Sequence, residues 1–109
     1  MRMWLVNPKL LCNQHLLGEH HEAHMIGGSI IHGLNITGYI TNGLVETEKV
    51  QERHDILAIE MESRGMHHKS PIKTSTSKYD NKGHVDIQAN LIELSKRCLK
   101  CRKRIKEED

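Results

Sequence analysis

Apolar residues recur along the chain in three helical runs. From Asn7-Pro8 to about Ile31, Leu16, Ala23, Ile26 and Ile30 fall at spacings of seven, three and four, one face of an α-helix. Asn7 suits the N-cap and Pro8 the first helical position. Gly27, Gly28 and Gly33 weaken the far end, and the Gly- and Asn-rich residues 33–45 read as a loop. A second helix is predicted from about Thr47 to Arg64, with Thr47 as cap, Gly65 as left-handed terminator, and Val50, Leu57 and Met61 on the apolar face. Residues 66–83 are polar, contain Pro71 and Gly83, and read as a long connection. A third helix capped by Asp86 carries the stripe Ile87, Leu91, Leu94, Cys98, Cys101, Ile105, alternating four and three without a break. Residues 1–7 read as extended. The pattern predicts an all-α protein, a three-helix single domain spanning residues 1–109.

Composition narrows the chemistry. At 109 residues and 12.5 kDa there is room for one core, built without Phe from Leu, Ile, Val and Met. Trp4, Tyr39 and Tyr79 are the whole aromatic complement, which excludes a multi-ring base-stacking platform. The formal charge of +2 is mildly basic, and nine histidines add charge below about pH 6.5. Cys12, Cys98 and Cys101 do not make an even secreted framework, so a reducing cytoplasm is expected. No run reaches the ~20 apolar residues a membrane span needs. A monomer without membrane association is expected.

Three polar groupings can carry chemistry. On the first helix, His15, Glu19 and Glu22 share a face away from the Leu16 stripe, either a solvated face or a functional one. His20 and His24 have metal-ligand spacing, but Met25 stands where the metalloprotease pattern needs its second His. On the third helix, Lys96, Arg97, Lys100, Arg102, Lys103, Arg104 and Lys106 can face phosphates or simply favour the helix C-terminal dipole; Lys69, Lys73, Lys78 and Lys82 can act similarly. Cys98-x-x-Cys101 is half of a zinc site, with Cys12, His67, His68 or His84 as candidates for the rest. Both thiols also lie on the apolar stripe, so core cysteines are the expected reading and no metal is assigned.

The chain start sharpens the first grouping. A helix beginning at Pro8 places Glu22 ~21 Å along it. Residues 1–7, extended and doubled back, cover ~20 Å. The Met1 α-amine then arrives beside Glu22; a helix beginning nearer Asn13 spoils the equality without forbidding contact. An α-amine has an intrinsic pKa of ~7.7–8.0, against ~10.4 for Lys, which leaves a neutral fraction able to form a Schiff base at a sugar carbon. Arg2, a large second residue, should keep the initiator Met in place.

Gln14-His15-Leu16-Leu17-Gly18-Glu19-His20-His21-Glu22 resembles the opening helix of the phage-type pyrimidine dimer DNA glycosylases, the ultraviolet-repair endonucleases V. Counted back from that motif, Met1 matches the family's catalytic N-terminal residue, Arg2 the basic residue after it and Glu22 the catalytic acid. A weaker likeness runs through Val50-Gln51-Glu52-Arg53-His54-Asp55-Ile56-Leu57 to Arg64-Gly65. The resemblance covers residues 1–24 well, 46–66 moderately and the rest poorly. It implies three helices with the N-terminal segment threaded between the first two. It also implies a metal-free glycosylase and abasic-site lyase acting on pyrimidine dimers or related lesions in double-stranded DNA, or on abasic sites. Met1 would attack C1′, Glu22 would stabilise the charged sugar and move protons, and β-elimination would cut the strand. Arg2, Gln14, His15 and His21 would hold the strand, with the base opposite the lesion expelled. Arg97, Lys100 and Arg104 are the further candidate phosphate contacts. The family has Arg where this chain has His21, a further Arg where it has Met25, and an aromatic-rich tail that is missing here. The rival reading is a non-enzymatic helical DNA-binding module, zinc-linked through Cys98 and Cys101.

Overall fold

The computed structural model describes residues 1–66 and 83–108 and is all-α. Its helices are α1 (Asn13–Ile31), α2 (Thr37–Thr41), α3 (Val50–Ser63), α4 (Ile87–Arg97) and α5 (Leu99–Glu108). The predicted stripes form the core: Leu16, Ala23, Ile26 and Ile30 of α1 are buried, as are Val50, Leu57 and Met61 of α3.

Helix α1 begins later than the Asn7-Pro8 signal predicts. Asn7 and Pro8 act as read, but on a separate 3-10 turn, Pro8–Leu10, whose Lys9 N–H donates to Asn7 Oδ1 at 3.1 Å. Leu11 and Cys12 then become extended and buried, and Cys12 caps α1. Burying those two side chains breaks the helix that local propensity alone would continue.

The predicted loop at 33–45 contains α2, because Ile36 and Ile40, one turn apart, are both buried. Thr47 opens a 3-10 turn, Thr47–Lys49, instead of capping α3. The end of α3 is as predicted. Gly65 has φ +81°, its N–H donates to Glu62 O, and Met66 N–H donates to Met61 O, the paired bonds of a Schellman terminus.

The third predicted helix is two. Asp86 caps α4, accepting from Ala89 N–H at 3.0 Å. Cys98 then turns extended, with φ −128° and ψ 112°, and α5 restarts at Leu99. Arg102 covers the opened end of α4 by donating to the Ser95 and Lys96 carbonyls. Leu94 and Cys101 are buried, while Ile87 at the head of the stripe is exposed.

The N-terminal segment is extended and packed between helices. Met3, Trp4 and Val6 are buried, and Met3 N–H donates to Leu44 O at 2.8 Å. It shares its core with Leu16 of α1 and Leu57 and Met61 of α3, the first two predicted helices, and its hydrogen-bonding helical partners are α1 and α4. Among the described residues no helix is long and apolar enough to cross a membrane.

Candidate functional site

The terminal segment runs back along α1 and is tied to that helix's carboxylates. Arg2 N–H donates to Glu22 Oε2 at 3.0 Å, and Leu5 N–H to Glu19 Oε2 at 3.5 Å. Glu22 thus lies against the second residue although α1 begins at Asn13 and not Pro8. From the other side, Asn90 of α4 donates to Trp4 O at 2.8 Å and Met3 O at 3.4 Å, and accepts from Arg2 at 2.8 Å. Leu5 has φ +58°, a left-handed conformation that costs a non-glycine residue about 1–2 kcal/mol. The ties on both sides of Leu5 hold it there.

A groove of about 400 Å³ opens at this point, lined by Arg2, Trp4, Gln14, His15, Gly18, Glu19, Glu22 and Arg97. Two guanidinium groups flank one indole: Arg2 Cζ is 3.9 Å from the Trp4 centroid and Arg97 Cζ 5.5 Å. Burial and the charge of Arg97 lower the Arg2 pKa, with Glu93 and Glu22 opposing. Arg97 also pairs with Glu93 at 2.6 Å. Burial, then Arg97, hold the His15 imidazole below its usual range. A groove with two guanidinium groups and an imidazole can accept a phosphate-bearing strand, and it presents the Glu22 carboxylate beside the second residue.

The sequence-predicted DNA contacts divide. Arg2, Gln14, His15 and Arg97 line the groove with Glu22. His21 and Lys100 are exposed and do not line it. Arg104 ties α5 to the first turn, donating to Lys9 O at 2.8 Å. Lys69, Lys73, Lys78, Lys82, His67 and His68 lie outside the described residues.

Glu19 corrects the reading of a solvated α1 face. It is 1% exposed and takes hydrogen bonds of 2.6 and 2.9 Å from Arg53 on α3. Sequence reasoning missed Arg53, Asn90 and Trp4 as parts of the site. Arg53 carried a signal, the short likeness around it, but nothing local joins it to Glu19.

Two clusters of metal-ligand types flank the site. Cys12, His15, Cys98 and Cys101 bring their side-chain sulfur and nitrogen atoms within 4.8 Å of one another. Cys98 is half-buried at the α4–α5 break, so it is not wholly the core residue expected. Burial opposes ionisation of Cys98, but hydrogen bonds from Cys101, Cys12 and the Lys100 backbone outweigh it and lower the thiol pKa. Burial pushes Cys101 up to about 12, and the neighbouring thiols add to this. His84, the other described candidate ligand, is exposed 3.6 Å from Glu46. On the far side of α1, His54 joins His20 and His24, with ring centroids 4.7–4.9 Å apart.

The all-α fold sets its extended N-terminal segment against the glutamates of the first helix, beside a groove that carries two arginines. A family comparison is consistent with it: the model described as pyrimidine dimer DNA glycosylase matches residues 1–74. The chain belongs to the pyrimidine dimer DNA glycosylase family. The match takes in the terminal segment, α1, α2 and α3, and stops short of α4 and α5. No curated protein and no solved structure matches the chain.

Proposed function

We propose that the protein is a bifunctional glycosylase and abasic-site lyase acting on pyrimidine dimers or related lesions in duplex DNA, with the Met1 α-amine as nucleophile and Glu22 as its acid partner. The observation that carries this reading is the 3.0 Å hydrogen bond from Arg2 N–H to Glu22, which sets the carboxylate one residue from the amine. Family membership supplies the substrate class.

The neutral amine attacks C1′ of the damaged nucleotide. The glycosidic bond breaks, and the base leaves with the bonding electrons and takes up a proton. Ring opening at O4′ leaves an iminium between the Met1 nitrogen and C1′. Glu22 stabilises the positive sugar and relays protons. Loss of a C2′ proton then expels the 3′ phosphate, and water releases the amine. Arg2, Gln14, His15 and Arg97 hold the strand in the groove, and His21, Lys100 and Arg104 add outer phosphate contacts.

Borohydride trapping tests this on ultraviolet-irradiated and abasic duplexes, after intact-mass measurement of the N-terminus. A covalent protein–DNA adduct is expected, lost in Glu22→Gln on dimers and lost on N-terminal acylation. No adduct from a protein with a free Met1 amine would overturn the reading.

A further inference from the structure

Cys12 and Cys98 hold equivalent places. Each is the extended residue just before a helix, and each is followed three residues later by another ligand type, His15 in α1 and Cys101 in α5. In both, the first sulfur accepts the backbone N–H of the second residue: His15 N–H to Cys12 Sγ at 3.5 Å and Cys101 N–H to Cys98 Sγ at 3.4 Å. The third sulfur is served across the pair, with Cys12 N–H donating to Cys101 Sγ at 3.3 Å. Every sulfur of the cluster therefore has a backbone donor, the outer shell that a thiolate needs. Two helix N-termini also converge there, and their dipoles favour negative charge.

The side-chain spacings fit one geometry. A tetrahedral zinc with bonds of ~2.3 Å to sulfur and ~2.05 Å to nitrogen has S···S edges of ~3.8 Å and S···N edges of ~3.5 Å. Here Cys12 Sγ to Cys98 Sγ is 3.8 Å, Cys12 Sγ to His15 Nδ1 is 3.3 Å, and Cys101 Sγ to His15 Nδ1 is 3.5 Å. A disulfide needs ~2.05 Å between sulfurs, far shorter than the observed separation. Three sulfurs and one imidazole, with three separations at tetrahedral edges and all within 4.8 Å, are a donor set that suits zinc.

We propose that Cys12, His15, Cys98 and Cys101 form a structural zinc site that fastens α4 and α5 to the start of α1. Residues 98 and 101 lie outside the family match and residues 12 and 15 inside it, so the metal joins the C-terminal helices to the family-matched part. Coordination through Nδ1 leaves the His15 proton on Nε2. A groove-lining imidazole is thereby fixed as a hydrogen-bond donor. The inference stands apart from the repair reading, since metal binding is measured without DNA.

The test is elemental analysis of protein purified without chelator, followed by cobalt titration of the metal-stripped chain. One zinc per chain is expected, together with one cobalt giving strong visible d–d bands and sulfur-to-cobalt charge-transfer absorption. Cys98→Ser, at the half-buried position, should weaken zinc affinity at least tenfold, and chelator should lower the melting temperature of the unaltered chain. Cobalt binding without charge-transfer absorption would overturn the site, as would a metal-free protein whose native thiol alkylation is indifferent to added zinc. A Cys12–Cys98 disulfide in the protein as purified would overturn it too. The unaltered chain carries the spectroscopic result even if the Cys98 variant does not fold.

Discussion

Arg53 reaches across from α3 to hold Glu19 of α1 through two hydrogen bonds, at 2.6 and 2.9 Å, with both side chains almost wholly removed from water. The same carboxylate takes the N–H of Leu5, so the pair fastens the terminal segment as well as the two helices. Removing one partner leaves a buried charge without compensation, which costs about 3–5 kcal/mol. Arg53→Met should destabilise the protein by that amount in urea unfolding. The double variant Glu19→Leu with Arg53→Met should recover much of the loss. A single variant as stable as the parent would show that the pair does not bear on the fold.

Asn90 is the second fastening. It satisfies the Met3 and Trp4 carbonyls and orients the Arg2 guanidinium. Asn90→Ala should cost about 1–3 kcal/mol, because it strands buried polar groups. Since those groups border the groove, borohydride trapping should slow more than affinity for damaged duplex falls. Equal losses in both would argue against a positioning role.

Arg97 faces the groove beside Arg2 and His15. If it meets a phosphate, Arg97→Gln should weaken binding to irradiated and undamaged duplex alike. It should also reduce the slope of log affinity against log salt by about 0.9. An unchanged slope would place Arg97 outside the DNA contact.

Two glycine substitutions should move stability in opposite directions. Gly83 has φ +84°, and a Cβ there would sit 2.1 Å from Val45 O, so Gly83→Ala should cost more than about 1 kcal/mol. Gly28 lies inside α1 with open space at its Cβ position, so Gly28→Ala should gain about 0.5–1 kcal/mol. Thermal unfolding of the two variants reads the signs directly. Loss of stability in Gly28→Ala would contradict the open surroundings.

What periodicity could reach in this chain is local. The Leu16–Ile30 stripe, the Asp86 cap and the Gly65 terminator were legible because each depends on residues within a few positions. The break at Cys98 was not, since the four-three alternation of Leu94, Cys98 and Cys101 continues through one extended residue. Glu19 read as half of a solvated face because its partner stands 34 residues away. That Glu22 meets the second residue was legible from chain length and motif, although the helix start used to measure it was five residues early. The four-residue sulfur and imidazole cluster was half visible. Cys98-x-x-Cys101 is a sequence signal, whereas Cys12-x-x-His15 gains its meaning only when the two helix starts meet.

The hydrogen bond from Asn90 to Trp4 spans 86 positions. On a ribosome adding about 5–20 residues per second, Trp4 waits roughly 4–17 seconds for that amide to be made. Residues 2–4 are thus translated well before one of the contacts that holds them. A nascent chain stopped before α4 therefore lacks the amide that fixes Arg2 and the two following carbonyls, so the geometry of residues 2–4 waits on a helix made some 86 positions later.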